Sequence, residues 1–346
     1  MLTDKDSANN KLTMIIRERS RRILEKYGKE AISEVRDQKL LAALEDIKSY
    51  WRDFVRPSLT SFSCEAVGGD PEISDIAALM FTLASSGFGL HDDILDRSEN
   101  KHLRMTILGL HGADTTLLVG DLLIVKAWTL AHKMIRNTCN PTKIADALKA
   151  YGSLSVEICE AELMETQCRG EVNTDLAFYE NVLWKEMAET EACSRIGAML
   201  GEGKPFEVEA LAEFGRRLGF MSRLADDIED CLNEKGDLIH RIRCESIPLP
   251  LLYAAKCLAS SDDIGAREEY KQIKDITHKV RITPEDVRAL LKFCFKTEAF
   301  EYVRKIAEKN ALEADRKLKL LKPSSALTVL SAMNEWSYAR VKNRCV

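Results

Sequence analysis

The sequence predicts an all-α protein, and three observations carry that expectation. Apolar residues recur at three- and four-residue intervals along most of the 346 residues. Alternating β-branched runs are hard to find. Glycine and proline, 17 and 8 in number, are sparse and mark short breaks.

Taken in order, the polar start "MLTDKDSANN" (1–10) is expected as a disordered tail. Breaks follow at "GGDPE" (68–72), "NTCNPT" (137–142), "GEGKP" (201–205), "NEKGD" (233–237), "ITPED" (282–286) and "LKPSS" (321–325). Between them lie helical stretches such as "DIAALMFTLASSGFGL" (75–90), "KIADALKAYGSLSVEICEAELME" (143–165) and "EFGRRLGFMSRL" (213–224). The segment ahead of the first of these, "SCEAVGGDPEISD", carries an N-cap pattern. The breaks are too short for interdomain linkers, so one domain over 1–346 is expected.

Composition narrows the classes. A 45% hydrophobic content supports a full core, and a net charge of −5 suggests neither a nucleic-acid binder nor an acidic tail. Ten cysteines without a CxxC pair argue against a zinc site and a disulfide framework, and for reduced thiols. The start has no signal-peptide core, no later apolar run is read as long and uncharged enough to span a bilayer, and Cys345 is misplaced for prenylation. A cytoplasmic protein is the expectation.

Two acidic clusters carry the chemistry. In "HDDILD" (91–96), Asp92 and Asp96 fall one helical turn apart with Asp93 alongside; "ADDIED" (225–230) repeats the spacing with Asp226, Asp227 and Asp230 and adds Glu229. One acidic triplet is ordinarily a solvated face, but two of identical spacing, each closing an apolar segment, point to a hard cation. Mg²⁺ binds one or two carboxylates plus phosphate oxygens and water, so such clusters suit departure of a diphosphate. An apolar, water-excluding helical bundle would protect the carbocation left behind.

These motifs resemble those of the trans-isoprenyl diphosphate synthases (polyprenyl synthetases), which carry two DDxxD motifs. The likeness extends to "RPSLTSFSCEAVGGDPE" (56–72), "GADTTLLVGDLLIVKA" (112–127), "LGFMSRLADDIEDCL" (218–232), "IPLPLLYAA" (247–255) and "LKPSSALTVLSAMNEWSYAR" (321–340), and so covers roughly residues 40–340. It implies a class I isoprenoid synthase bundle around a deep apolar cavity. It also implies Mg²⁺ as cofactor, an allylic prenyl diphosphate and isopentenyl diphosphate as substrates, and a homodimer or a heterodimer with a related chain.

Departures from the pattern lie on one side. The family's GGKxxR segment aligns with "WRDFVR", which keeps Arg56 but has Asp53 at the lysine position; the arginine pair after the first motif aligns with Lys101 and His102, near Arg104. Ser85 stands for a histidine, Ser222 and Arg223 for FQ, Lys185 and Glu186 for KT, and Lys235, His240, Arg241 and Arg243 for loop lysines. The metal and allylic side is thereby kept while the isopentenyl side loses positive charge. A unit pair at 4 Å is worth about 4 kcal/mol at an effective dielectric near 20, so Asp53 alone weighs heavily against a diphosphate.

The resemblance assigns Asp92, Asp96 and Asp226 to direct metal contact, with Asp93, Asp227 and Asp230 in support, Asp230 also as an additional ligand. Lys185, Arg223 and Lys101 or His102 would neutralise the leaving diphosphate. Gly87 and Phe88, one turn before the first motif, fall where the family sets chain length, the glycine opening the cavity and the phenylalanine closing it. Three functions remain open: a prenyl diphosphate synthase subunit working in a hetero-oligomer, a terpene cyclase derived from a synthase, and a non-catalytic regulatory subunit.

Simpler readings serve the remainder. His91 and His111 are expected as hydrogen-bonded helix residues, and Trp51, Trp128, Trp184 and Trp336 as core or dimer-interface residues. Glu157, Glu160, Glu162 and Glu165 are expected to form a solvated strip, with Glu162 facing the cavity.

Overall fold

Apolar residues at helical spacing fold here as α-helices in a computed structural model that describes residues 4–50, 53–101, 104–137, 141–233 and 237–344. In chain order they are α1 (Asp4–Ile32), α2 (Gln38–Tyr50), α3 (Val55–Ala66), α4 (Pro71–Leu95), α5 (Ile107–His111), α6 (Ala113–Asn137), α7 (Pro141–Gln167) and α8 (Leu176–Glu186). There follow α9 (Ala188–Leu200), α10 (Pro205–Leu232), α11 (Asp237–Cys244), α12 (Leu249–Ala259), α13 (Ile264–Thr277), α14 (Pro284–Lys296), α15 (Ala299–Leu318) and α16 (Ser325–Lys342). The described strands, β1 (Asn100–Lys101) and β2 (Arg104–Met105), form one short antiparallel ladder. The all-α expectation holds. Residues 4–10, read from sequence as a tail, belong to α1.

Every break expected from glycine and proline separates two helices. At the first, Gly68 takes φ 93°, the Asp70 carboxylate accepts the Glu72 N–H, and Pro71 opens α4 with the φ its ring already imposes. At "ITPED", Thr283 and Asp286 cap each other reciprocally ahead of α14. Other breaks carry no glycine: Glu34, Arg97 and Glu298 adopt positive φ themselves.

By its internal contacts the chain divides into two compact units, within the stretch read from sequence as one domain. The first comprises Met1–Ser155, Glu189–Gly215 and Arg316–Met333. Its interior is built on α4, which packs most extensively against α6 and also meets α3 and α1. Phe81, Met80, Leu83, Leu59 and Leu123 are fully buried there. Helix α4 is long and apolar enough to cross a membrane by length and composition alone; 78% of its most apolar window is buried, as expected of a core helix.

The second unit comprises Val156–Ala188, Arg216–Asp315 and Asn334–Val346. Helix α12 packs against α8, α13 and α14, and Leu251 and Leu252 join Ile228, Ile273, Leu290 and Phe300 in one apolar cluster. Each unit carries one of the acidic motifs.

Candidate active site

Helix α4 closes on the first motif. Asp96 is its C-cap, and the backbone N–H of Asp96 still donates to the Asp92 carbonyl at 2.9 Å, which keeps the two aspartates one turn apart. The next turn is a Schellman motif, with Arg97 N–H donating to the Ile94 carbonyl and Ser98 N–H to the Asp93 carbonyl, while Arg97 occupies the left-handed region at φ 54°. That reversal leads into the β1–β2 ladder and returns Lys101 to the motif. The Lys101 ammonium lies 2.8 Å from Asp93 Oδ1 and 3.2 Å from Asp92 Oδ2. Asp93 is buried, which raises its pKa against the opposing pull of Lys101. Asp92 retains 33% of its side-chain exposure.

The second motif lies in the last two turns of α10, and each of its acids meets an arginine. Asp226 meets Arg340 at 2.7 Å, and Glu229 meets Arg340 at 2.7 Å and Arg344 at 2.8 Å. Asp227, with no exposed side-chain surface, accepts the Tyr179 hydroxyl at 3.1 Å and the Leu249 N–H at 2.8 Å. It also pairs with Arg241 at 3.2 Å and Arg223 at 3.5 Å. Asp230 pairs with Arg241 at 2.9 Å, and burial pushes its pKa up to about 6 against that pull.

Several candidates have partners that sequence did not reveal. Arg223 is held by Glu186 at 3.1 Å, Glu165 at 3.3 Å and Asp227, so its guanidinium is engaged within the unit. Burial, then the Glu165 charge, raises the Glu186 pKa well above the usual carboxylate range; its Oε2 accepts from Arg223 while Oε1 has no partner. Lys185 pairs with Glu160 at 2.9 Å. In the first unit Arg56 lies between Glu189 at 2.7 Å and Asp53 at 3.2 Å, and the other Asp53 oxygen accepts the N–H groups of Val55 and Arg56 at the start of α3. The aspartate at the family's lysine position is thus both a helix-starting acceptor and a counter-charge for Arg56.

Gly87 has a packing role different from the expected opening of a cavity. A Cβ there would lie 2.7 Å from the Gly120 carbonyl and from Ile124 Cγ1, because α4 and α6 approach too closely for a side chain. Phe88 is half-buried, while His102 lies outside the described residues, as do Lys235 and Trp51. His91 and His111 are hydrogen-bonding helix residues, to the Leu117 carbonyl and to Asp46 respectively. The glutamate strip is solvated only in part: Glu160 is exposed, whereas Glu165 is buried with Arg223 and Ser246, and Glu157 forms a two-pronged pair with Arg216.

Arg340, Arg344, Tyr179 and Glu189 were not picked out from sequence. No local spacing links residue 340 to residue 226, and Tyr179 lies 48 residues from the carboxylate it meets.

Among the described residues no three His, Cys, Asp or Glu side chains converge as a ready-made metal site. The donor chemistry nevertheless fits Mg²⁺, which takes one or two protein carboxylates and completes its octahedron with substrate phosphates and water. Asp92 and Asp226, with side chains 33% and 49% exposed, offer such oxygens.

The chain is thus an all-α protein that closes two of its apolar helices on acidic triplets of identical spacing. A polyprenyl synthetase family profile matches residues 42–291, and the chain belongs to that family. It is therefore a prenyltransferase by descent. It is 30% identical to a short chain isoprenyl diphosphate synthase of Methanothermobacter thermautotrophicus over 224 residues, covering 62% of this chain and 68% of that one. It is 25% identical to the geranylgeranyl diphosphate synthase of Methanosarcina mazei, covering 83% and 85%. The fold matches that of a geranylgeranyl pyrophosphate synthetase from Pyrococcus horikoshii Ot3, with TM-score 0.83, 23% identity and coverage of 95% and 98%.

Proposed function

We propose that this chain is a Mg²⁺-dependent prenyl diphosphate synthase subunit. It ionises an allylic prenyl diphosphate for condensation with isopentenyl diphosphate as one partner of a hetero-oligomer. Retention of both acidic motifs with Asp92 and Asp226 partly exposed carries the reading of metal-assisted ionisation. The pairing of Arg56 with Asp53 and Glu189 favours dependence on another chain for the isopentenyl site.

Bound Mg²⁺ would stabilise charge on the departing diphosphate. The chain's own contribution is positional and electrostatic. Asp92 and Asp226, together with the buried Asp96, would supply ligand oxygens; Asp93 is held by Lys101, and Asp227 and Asp230 by Arg241, so these carboxylates are oriented before substrate arrives. Lys101 and Lys185 would turn toward diphosphate oxygens as the carbon–oxygen bond breaks and its electron pair leaves with the diphosphate. Arg223 acts through Asp227.

Association with a related chain is supported by apolar residues left exposed on one stretch of the first unit. Leu110, Leu117, Leu118, Val125 and Trp128 are between 41% and 58% exposed, and positions 117, 118, 125 and 128 recur on one face of α6.

The test is product analysis of the purified chain with Mg²⁺ and geranyl, farnesyl or geranylgeranyl diphosphate, with and without labelled isopentenyl diphosphate. No product alone, and labelled longer diphosphates once a partner fraction is added, is the expected pattern. Labelled longer diphosphates from the chain alone would overturn the need for a partner. Hydrocarbon or alcohol formed without isopentenyl diphosphate would identify a cyclase, the second reading that the neutralised Arg56 also favours.

A further inference from the structure

The carboxyl-terminal stretch of α16 raises a question about the second motif. Helix α10 has no basic residue in its last turn, yet it carries Asp226, Asp227, Glu229 and Asp230 near the end where the helix macrodipole already disfavours negative charge. The compensating cations for Asp226 and Glu229 come from 111 or more residues away. One Arg340 nitrogen lies 2.7 Å from Asp226 Oδ1 and 2.7 Å from Glu229 Oε1, and Arg344 adds a contact to Glu229 at 2.8 Å. The Arg340 guanidinium sits 5.6 Å from the Trp336 ring centroid, one turn earlier on the same helix.

We infer that Arg340 is a positioning residue that holds the Asp226 carboxylate as a surrogate for the divalent cation and is exchanged for that cation when it binds. The inference rests on the metal reading proposed above. Among the motif's acids Asp226 is the most exposed, at 49% of its side chain, against 30% for Glu229, 26% for Asp230 and none for Asp227. It is therefore the acid whose counter-ion can change without uncovering a buried charge. A guanidinium and a dication on the same carboxylate would repel each other, so the two occupancies compete. Release from Asp226 removes one of the contacts that tie the end of α16 to α10, leaving those of Arg340 and Arg344 to Glu229.

The experiment uses the full chain and Mn²⁺, a hard octahedral dication that stands in for Mg²⁺, with the free ion followed by its electron paramagnetic resonance signal. Wild type, R340Q, R340K and D226N are compared after circular dichroism has established their helicity. Expected is Mn²⁺ binding about fivefold tighter in R340Q, the weight of one lost ion pair, with R340K in between and D226N weaker than wild type. Addition of Mn²⁺ to wild type should also speed amide exchange across residues 334–344. Equal or weaker binding in R340Q, or unchanged exchange in α16, overturns the surrogate role. Failure of Mn²⁺ to bind wild type or R340Q at all overturns the metal reading itself, and the surrogate role with it.

Discussion

The two acidic motifs share a spacing but not an environment. The first ends its helix beside the returning Lys101, which serves both Asp92 and Asp93, with the Arg104 charge also acting on Asp93. The second is cross-linked by arginines from three directions: Arg223 on its own helix, Arg241 on α11, and Arg340 on α16 with Arg344 just beyond it. A lysine is a point charge on a flexible stem, whereas the arginine fork binds several oxygens in fixed geometry. The first motif thus rests on one flexible ammonium, whereas the second is fixed by arginines at Asp227 and Asp230 and keeps Asp226 as its most exposed acid.

The comparison is most easily broken through stability. Asp227→Ala leaves Arg223 and Arg241 buried without their shared anion and should cost about 3–5 kcal/mol, whereas Asp92→Ala at the partly exposed carboxylate should cost less than about 1 kcal/mol. Urea unfolding of both variants measures the difference; equal losses would erase the distinction. Activity should show the opposite ranking of what is conserved: Asp92→Ala and Asp226→Ala should each lower turnover by about 100- to 1,000-fold with helicity intact. Near-normal turnover in either, measured with the complete complex, removes that residue from the site.

Asp53→Asn tests the charge asymmetry within the first unit. Loss of one counter-charge from Arg56 should lower the Michaelis constant for isopentenyl diphosphate by about tenfold, as roughly 1.4 kcal/mol of competition is removed, while asparagine can still accept the N–H groups at the start of α3. An unchanged constant would free Asp53 from any role in substrate discrimination. The smallest effect concerns the turn that returns Lys101. Arg97→Gly should stabilise the chain by up to about 1 kcal/mol, since glycine adopts the left-handed conformation at φ 54° without a Cβ penalty. A loss of stability instead would show that the Arg97 side chain carries more than its backbone costs.

How much of this was legible in advance varies by position. The six breaks at glycine and proline were readable because those residues alter the backbone directly. Breaks at Glu34, Arg97 and Glu298 were not, since residues that ordinarily extend helices take positive φ there. The acidic clusters were visible because i to i+4 spacing is a local rule. The packing of Gly87 was not legible: its missing side chain admits α6, and the residues that approach it, Gly120 and Ile124, are more than thirty positions away.

Sequence by itself determined the all-α class, the family and the two carboxylate triplets, because helical periodicity and fixed spacing within one turn are properties of neighbours along the chain. Tertiary structure decided which carboxylates are sealed and which remain accessible. It gave Arg56 to Asp53 and Glu189, Arg223 to Glu165 and Glu186, and Arg340 to Asp226. Charge pairing at 2.7 to 3.3 Å depends on where distant segments pack, and nothing in the order of residues states that distance.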